Sequence, residues 1–134
     1  MTLSKILNIS EAATIAIHSM ALIARSKELL NAQAIADATG FSKNHISKVL
    51  MQLVKYNYLS SYRGPKGGFL LNRQPEEVTL LEIYNMFDGE ISDKTGCKMH
   101  CTFCPFRSCI FGDLSKRFSR EFKEYLTNQN LATV

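Results

Sequence analysis

Two short helical patterns meet at Thr39-Gly40-Phe41, and the Gly/Pro-rich string Arg63-Gly-Pro-Lys-Gly-Gly68 follows soon after them. Few folds accommodate that succession. Asn31 has the chemistry of a side-chain cap for a helix over Ala32 to Thr39, with Ile35 facing inward. Gly40 supplies a left-handed position at its end. Ser42 caps the next helix, Lys43 to about Tyr56, whose Ile46, Val49, Leu50, Leu53 and Val54 recur at three-four spacing. Two helices joined by a short Gly-containing turn make a helix-turn-helix. Strand-like runs, Tyr58 to Tyr62 and Phe69 to Leu71, flank the Gly/Pro string, which predicts a tight, exposed hairpin. A hairpin in that place is the wing of a winged helix-turn-helix.

The rest of the chain extends this frame. Asn8 and Glu11 form a capping-box-like start for a first helix reaching about Arg25. Its Ile15, His18, Ala21, Leu22 and Ile23 make a face wide enough for burial on more than one side. Pro75 ends the hairpin arm, and Thr79 with Glu82 opens a helix from Leu80 to about Phe87 that Asp88-Gly89 stops. A final helix, about Asp113 to Leu126, carries the stripe Leu114, Phe118, Phe122, Tyr125 and Leu126. The tail from Thr127 is expected to fray. The predicted fold is mainly α: a winged helix-turn-helix with a two-stranded wing and a long C-terminal dimerisation helix. Residues 1–88 are assigned to DNA binding, and 89–134 to a cysteine-containing sensor loop and the dimerisation helix.

Charge becomes informative once it is located. The chain carries +4 over 134 residues. Between Ser42 and Arg73 it has Lys43, Lys48, Lys55, Arg63, Lys66 and Arg73 with no Asp or Glu, so the remainder is net acidic. A basic helix followed by a basic wing is the electrostatic footprint of double-stranded DNA binding. Lys43, Asn44, His45, Ser47 and Lys48 are placed to enter the major groove, Asn44 suiting adenine and Lys48 guanine. Ser42 and the helix start can hold a phosphate. Arg63 and Lys66 should reach the adjacent minor groove or backbone, with Gly67 and Gly68 allowing close approach. So small a reader gains specificity as a homodimer on a palindromic operator. No apolar run nears the roughly 18 residues a membrane span needs. The opening residues lack a signal-peptide pattern, so a cytoplasmic protein is expected.

All four cysteines fall between Cys97 and Cys109, at Cys97, Cys101, Cys104 and Cys109, spaced C-x3-C-x2-C-x4-C. In a reducing compartment such clusters bind metal or do redox work. Four thiolates suit an iron–sulfur cluster (2Fe–2S or 4Fe–4S) and also zinc. Zinc favours paired C-x2-C knuckles, and only Cys101 and Cys104 have that spacing. A metal-free thiol–disulfide switch is a third possibility.

Four strings carry a family resemblance: Ile9-Ser-Glu-Ala-Ala-Thr-Ile-Ala-Ile-His18, Ala34-Ile-Ala-Asp-Ala-Thr-Gly40, Arg63-Gly-Pro-Lys-Gly-Gly-Phe69 and Pro75-Glu-Glu-Val-Thr-Leu-Leu-Glu-Ile83. Through them the chain resembles the bacterial winged-helix repressors that include the iron–sulfur regulator IscR, the nitric-oxide-sensitive NsrR and the cysteine-metabolism repressor CymR. The resemblance implies a homodimeric transcription factor, often a repressor. It also implies a cluster on a loop ahead of the dimerisation helix, sensing redox, nitric oxide or iron–sulfur status. Ile110-Phe-Gly-Asp113 looks like that family's run into the helix. The family typically uses three cysteines and one other ligand, whereas this chain has four cysteines. Thr14, a poor iron ligand, stands where some members place a carboxylate. His18, one turn on, and His100 are further candidate ligands. No phosphate-binding glycine loop and no suggestive acid pair is present, so an enzyme is not expected. The alternatives are a metal-free thiol-redox regulator and a zinc-bearing protein-interaction module.

Overall fold

The computed structural model describes residues 7–91 and 104–134. The elements in order are α1 (Glu11–Arg25), α2 (Ala32–Thr39), α3 (Lys43–Lys55), β1 (Leu59–Tyr62), β2 (Gly68–Leu71), a 3-10 turn (Pro75–Glu77), α4 (Leu80–Asp88) and α5 (Leu114–Asn128). This is the expected mainly helical winged helix-turn-helix. Among the described residues no helix is long and apolar enough to cross a membrane.

The breadth of α1's apolar face has the predicted consequence. Ala13, Ile15, Ala16, Met20 and Ile23 are buried, and α1 packs against α3 on one side and α4 on the other. Ile46, Leu50 and Leu53 of α3 and Ile83 of α4 complete the core from those two sides. Fully burying one such side chain contributes about 1.5–3 kcal/mol, so this stack fixes how α3 sits. The start of α1 differs from expectation. Ser10, rather than Asn8, caps it: the Ser10 hydroxyl accepts the Ala13 amide at 3.0 Å. Asp88 of α4 takes the Ser10 amide at 2.9 Å, and the Asn8 carbonyl takes the Tyr84 hydroxyl at 2.7 Å. Contacts across 76 residues or more of sequence therefore set this boundary, beyond the reach of a local capping rule.

Asn31 and Ser42 cap α2 and α3 as predicted, and Gly40 lies at φ +79°. α3 ends through a device the sequence reading missed. Asn57 adopts φ +65°, its amide bonds to the Val54 carbonyl, and the Tyr58 amide bonds to the Leu53 carbonyl. That pair of bonds is a Schellman motif, with Asn in the position glycine usually fills. It turns the chain directly into the wing.

The wing is antiparallel, in the register Leu59 to Leu71, Ser60 to Leu70, Ser61 to Phe69 and Tyr62 to Gly68. Leu30, just before α2, bridges to Phe69, whose amide bonds to the Leu30 carbonyl at 2.8 Å. Gly68 makes this possible, since a Cβ there would stand 2.6 Å from the Leu30 carbonyl oxygen.

The C-terminal tail does not fray. After α5 ends at Asn128, the Gln129 carbonyl accepts the Leu80 amide at 3.0 Å, and Thr79 and Asn130 form a bridge. Leu131 is buried, and its amide is shared between the Pro75 and Val78 carbonyls. Leu131, Ala132 and Val134 are too few and too close to the end of a polar tail to show a periodicity that would reveal such docking.

Gly68→Ala is expected to destabilise the fold by about 1–3 kcal/mol, the usual overpacking cost, and to speed hydrogen exchange at the Phe69 amide. Gly64 lies at φ +112°, where alanine is strained, but a Cβ there would meet nothing within 4 Å, so that strain stays in the turn and spares the Leu30 contact. Gly64→Ala should therefore leave that amide protected, and equal protection in the two variants would contradict the packing role given to Gly68.

Candidate nucleic-acid interface and cysteine segment

α3 turns Ile46, Val49, Leu50 and Leu53 to the core. Its outer face carries Lys43, Asn44, Lys48, Met51, Gln52 and Lys55, all exposed. Ser47 is partly buried at the edge of that face. His45 also lies at an edge, with its Nδ1 3.7 Å from Oε1 of Glu11 at the start of α1. The Ser42 hydroxyl caps the helix by accepting the His45 amide at 3.4 Å. Met51 and Gln52 were missed from the sequence, although their spacing from Lys48 and Lys55 was the available signal.

Arg63 and Lys66 are exposed in the turn between β1 and β2. Gly67 and Gly68 have a closer task than meeting a ligand. A Cβ on Gly67 would lie 2.2 Å from the Tyr62 carbonyl oxygen, so that glycine closes the turn, as Gly68 closes the wing on Leu30. Tyr62, exposed on the outer face of β1, is a further residue the sequence reading did not single out.

Arg73 departs from the simple charge tally. Its Nη1 lies 3.4 Å from Oε2 of Glu82, and its guanidinium carbon stands 4.5 Å from the centre of the Tyr58 ring. Glu82 Oε2 also accepts the Tyr58 hydroxyl at 3.0 Å. Burial raises the Tyr58 phenol above its ordinary range; the Glu82 carboxylate adds to this and Arg73 opposes it. Among the described residues, Lys43, Lys48, Lys55, Arg63 and Lys66 have no carboxylate partner. The outward basic set is smaller by one than the sequence count, because Arg73 faces an acid contributed from beyond the counted interval.

Cys104 is partly buried and Cys109 is exposed, both on the approach to α5 and both free thiols. Cys97, His100 and Cys101 lie outside the described residues. His18 was read as part of α1's apolar face, yet its side chain is exposed. It makes a 2.7 Å hydrogen bond through Nδ1 to the Thr14 carbonyl and meets the edge of Phe41 in the turn before α3. Thr14 spends its own hydroxyl on the Ser10 carbonyl at 2.9 Å. The α5 stripe divides. Leu126 is buried and Phe122 meets Tyr84 edge-on, while Leu114, Phe118 and Tyr125 are 37%, 53% and 58% exposed.

A family model, Rrf2, described as an iron-dependent transcriptional regulator, matches residues 9–134. The chain belongs to the Rrf2 family. Among relatives, the transcriptional regulator NsrR of Bacillus licheniformis is 35% identical over 83 residues, covering 60% of this chain and 58% of that protein. IscR of Sodalis glossinidius is 26% identical over 100 residues, covering 75% of this chain and 60% of that protein. The chain thus spans little more than half the length of the curated relatives it matches. Two solved structures share the fold. CymR (YrzC), the global cysteine regulator of B. subtilis, superposes with a TM-score of 0.75 at 22% identity over 95% of each chain. T. potens IscR superposes with a TM-score of 0.70 at 18% identity, over 97% of this chain and 87% of that one. The Rrf2 assignment agrees with the resemblance read from the wing and Pro75 strings.

Proposed function

We propose that this Rrf2-family chain is a homodimeric repressor that binds a palindromic operator in double-stranded DNA under the control of its cysteines. The observation that carries the DNA reading is the outer face of α3 continuing into the wing, with five exposed cations and no described acid among them. In this reading Lys43, Asn44, Ser47 and Lys48 enter the major groove, Asn44 on adenine and Lys48 on guanine, and His45 contacts its rim. Ser42 and the first-turn amides of α3 take a phosphate. Arg63 and Lys66 reach the neighbouring minor groove or backbone from a turn that Gly67 and Gly68 hold shut. The dimer is supported by the apolar face that α5 leaves uncovered in a single chain, Leu114, Phe118 and Tyr125. Residues 1–88 then form the reader, and 89–134 the sensor and dimer element. Such a protein works in the cytoplasm, away from membranes.

Cys97, Cys101, Cys104 and Cys109 hold an iron–sulfur cluster in this reading. The donor set fits: Cys104 and Cys109 are soft, solvent-reachable ligands, and the family description is iron-dependent. Such a cluster supplies a reduction potential that the protein tunes through hydrogen bonds and solvent exposure. His18 is a supplementary ligand candidate. With Nδ1–H donated to the Thr14 carbonyl, Nε2 is the free nitrogen, and metal-bound histidines usually have that arrangement. The cysteines lie in sequence between α4 and α5, so their ligation state acts on helices at both ends. Useful control needs only about 1–3 kcal/mol of coupling. A metal-free thiol switch is the second reading, favoured by the likeness of fold to the oxidized form of Staphylococcus aureus CymR, TM-score 0.71 at 20% identity. Zinc is the third.

Arg63→Ala and Lys66→Ala should each weaken duplex binding and lower the slope of log affinity against log salt by about 0.9. Arg73→Gln should leave the slope unchanged, and fluorescence anisotropy across a salt series reads all three. Anaerobic purification should return iron and acid-labile sulfide with the protein. One zinc per chain would support the zinc reading instead, and a colourless protein that forms a disulfide on oxidation would support the thiol switch.

A further inference from the structure

One carboxylate joins segments far apart in the chain. Glu82 stands in the first turn of α4, where its Oε1 accepts the Thr79 amide at 2.8 Å and completes the capping box. Its Oε2 accepts the Tyr58 hydroxyl at 3.0 Å and pairs with Arg73 at 3.4 Å. Tyr58 is the residue whose amide closes α3 on the Leu53 carbonyl, and its own carbonyl accepts the Asn72 amide at 3.0 Å. The backbone at Tyr58 is therefore held by the end of the recognition helix and the end of the wing together. Its ring, beneath the Arg73 guanidinium, is 8% exposed for the residue as a whole.

On its other side Glu82 belongs to the part of the chain that carries α5. The residues before and at the start of α4 are bonded to the chain after α5 through Leu80 to Gln129 and through Leu131 to Val78 and Pro75. A shift of α5 is thus delivered to the turn that Glu82 caps. The Arg73–Glu82 pair is partly exposed, with side-chain exposures of 43% and 29%. Pairs of that kind contribute little to stability, which leaves geometry as their main effect.

We infer that Glu82 is a positioning residue for operator recognition: through Tyr58 and Arg73 its carboxylate sets how the recognition helix and wing are held relative to α4 and α5. The inference rests on the DNA-binding reading. A duplex is read by matching two α3 helices and two wings to successive grooves, so a change in their setting lowers affinity for the matched site. Binding to an arbitrary duplex depends on phosphate charge, and Glu82 pairs with none of Lys43, Lys48, Lys55, Arg63 and Lys66.

The test uses the full chain, purified anaerobically, and a duplex enriched by wild type from a randomised pool. Glu82→Gln keeps a side chain able to close the capping box while removing the charge that holds Arg73. Tyr58→Phe removes only the hydroxyl and keeps the ring under Arg73. Both variants are expected to lose at least about fivefold in affinity for the enriched duplex, the lower end of ordinary coupling between sites. Affinity for a random duplex, and its salt slope, should stay at the wild-type value. Wild-type affinity for the enriched duplex in both variants would overturn the inference. So would equal losses on both duplexes accompanied by a lowered Tm, which would make Glu82 a stability element only. Failure of wild type to enrich any sequence would overturn the DNA reading beneath it, a result distinct from either.

Discussion

Everything this chain presents to a partner depends on the burial of α1 between α3 and α4. Ile15, Ala16 and Met20 are fully enclosed, and among the described residues α1 is the helix that packs extensively on both α3 and α4. Apolar packing of this kind is close to crystal density and does not deform smoothly. In the proposed function, a displacement on the α4 side reaches α3 as a change of setting. The hydrogen bonds from Ser10 to Asp88 and from Tyr84 to Asn8 fasten one end of that sandwich. The contacts of Glu82 and the docked tail fasten the other.

The charge pattern is set by the same framework. The cations that face outward on α3 do so because the opposite face of the helix is spent on the core. Those of the wing are held out by a hairpin that two glycines close against backbone. Arg73 shows that a positive residue near a basic surface need not belong to it. Its partner Glu82 lies outside the interval whose charge was counted and meets it only in three dimensions. The α5 stripe is divided in a comparable way. Leu126 and Phe122 serve the chain's own core, and Leu114, Phe118 and Tyr125 are left exposed.

Much of the fold was legible because its signals are local. Asn31, Gly40, Ser42 and the Thr79–Glu82 box all act within a few residues, and each is found where the sequence places it. The losses are contacts over long distances. Ser10 displaced Asn8 as the cap because Asp88 and Tyr84 hold that segment. The tail docks through backbone bonds and a single buried Leu131. Asn57 in the left-handed region is a local signal that went unread, since asparagine there resembles an ordinary turn residue until the two Schellman bonds are seen. For the candidate interface, the sequence supplied Lys43, Asn44, Lys48, Arg63 and Lys66. Burial then moved His45 and Ser47 to the edge and added Met51, Gln52 and Tyr62. His18 reversed its reading: periodicity placed it with the apolar residues, yet the imidazole stands in solvent with one nitrogen engaged.

In the proposed function, a reader built on α3 and the wing is governed by Cys97, Cys101, Cys104 and Cys109. The most direct test of that control is the affinity for one enriched duplex of anaerobically reconstituted protein against a variant with all four cysteines changed to serine, at a single salt concentration. The two affinities are expected to differ at least about fivefold. Equal affinities, with both proteins folded and both binding the duplex, would contradict that control.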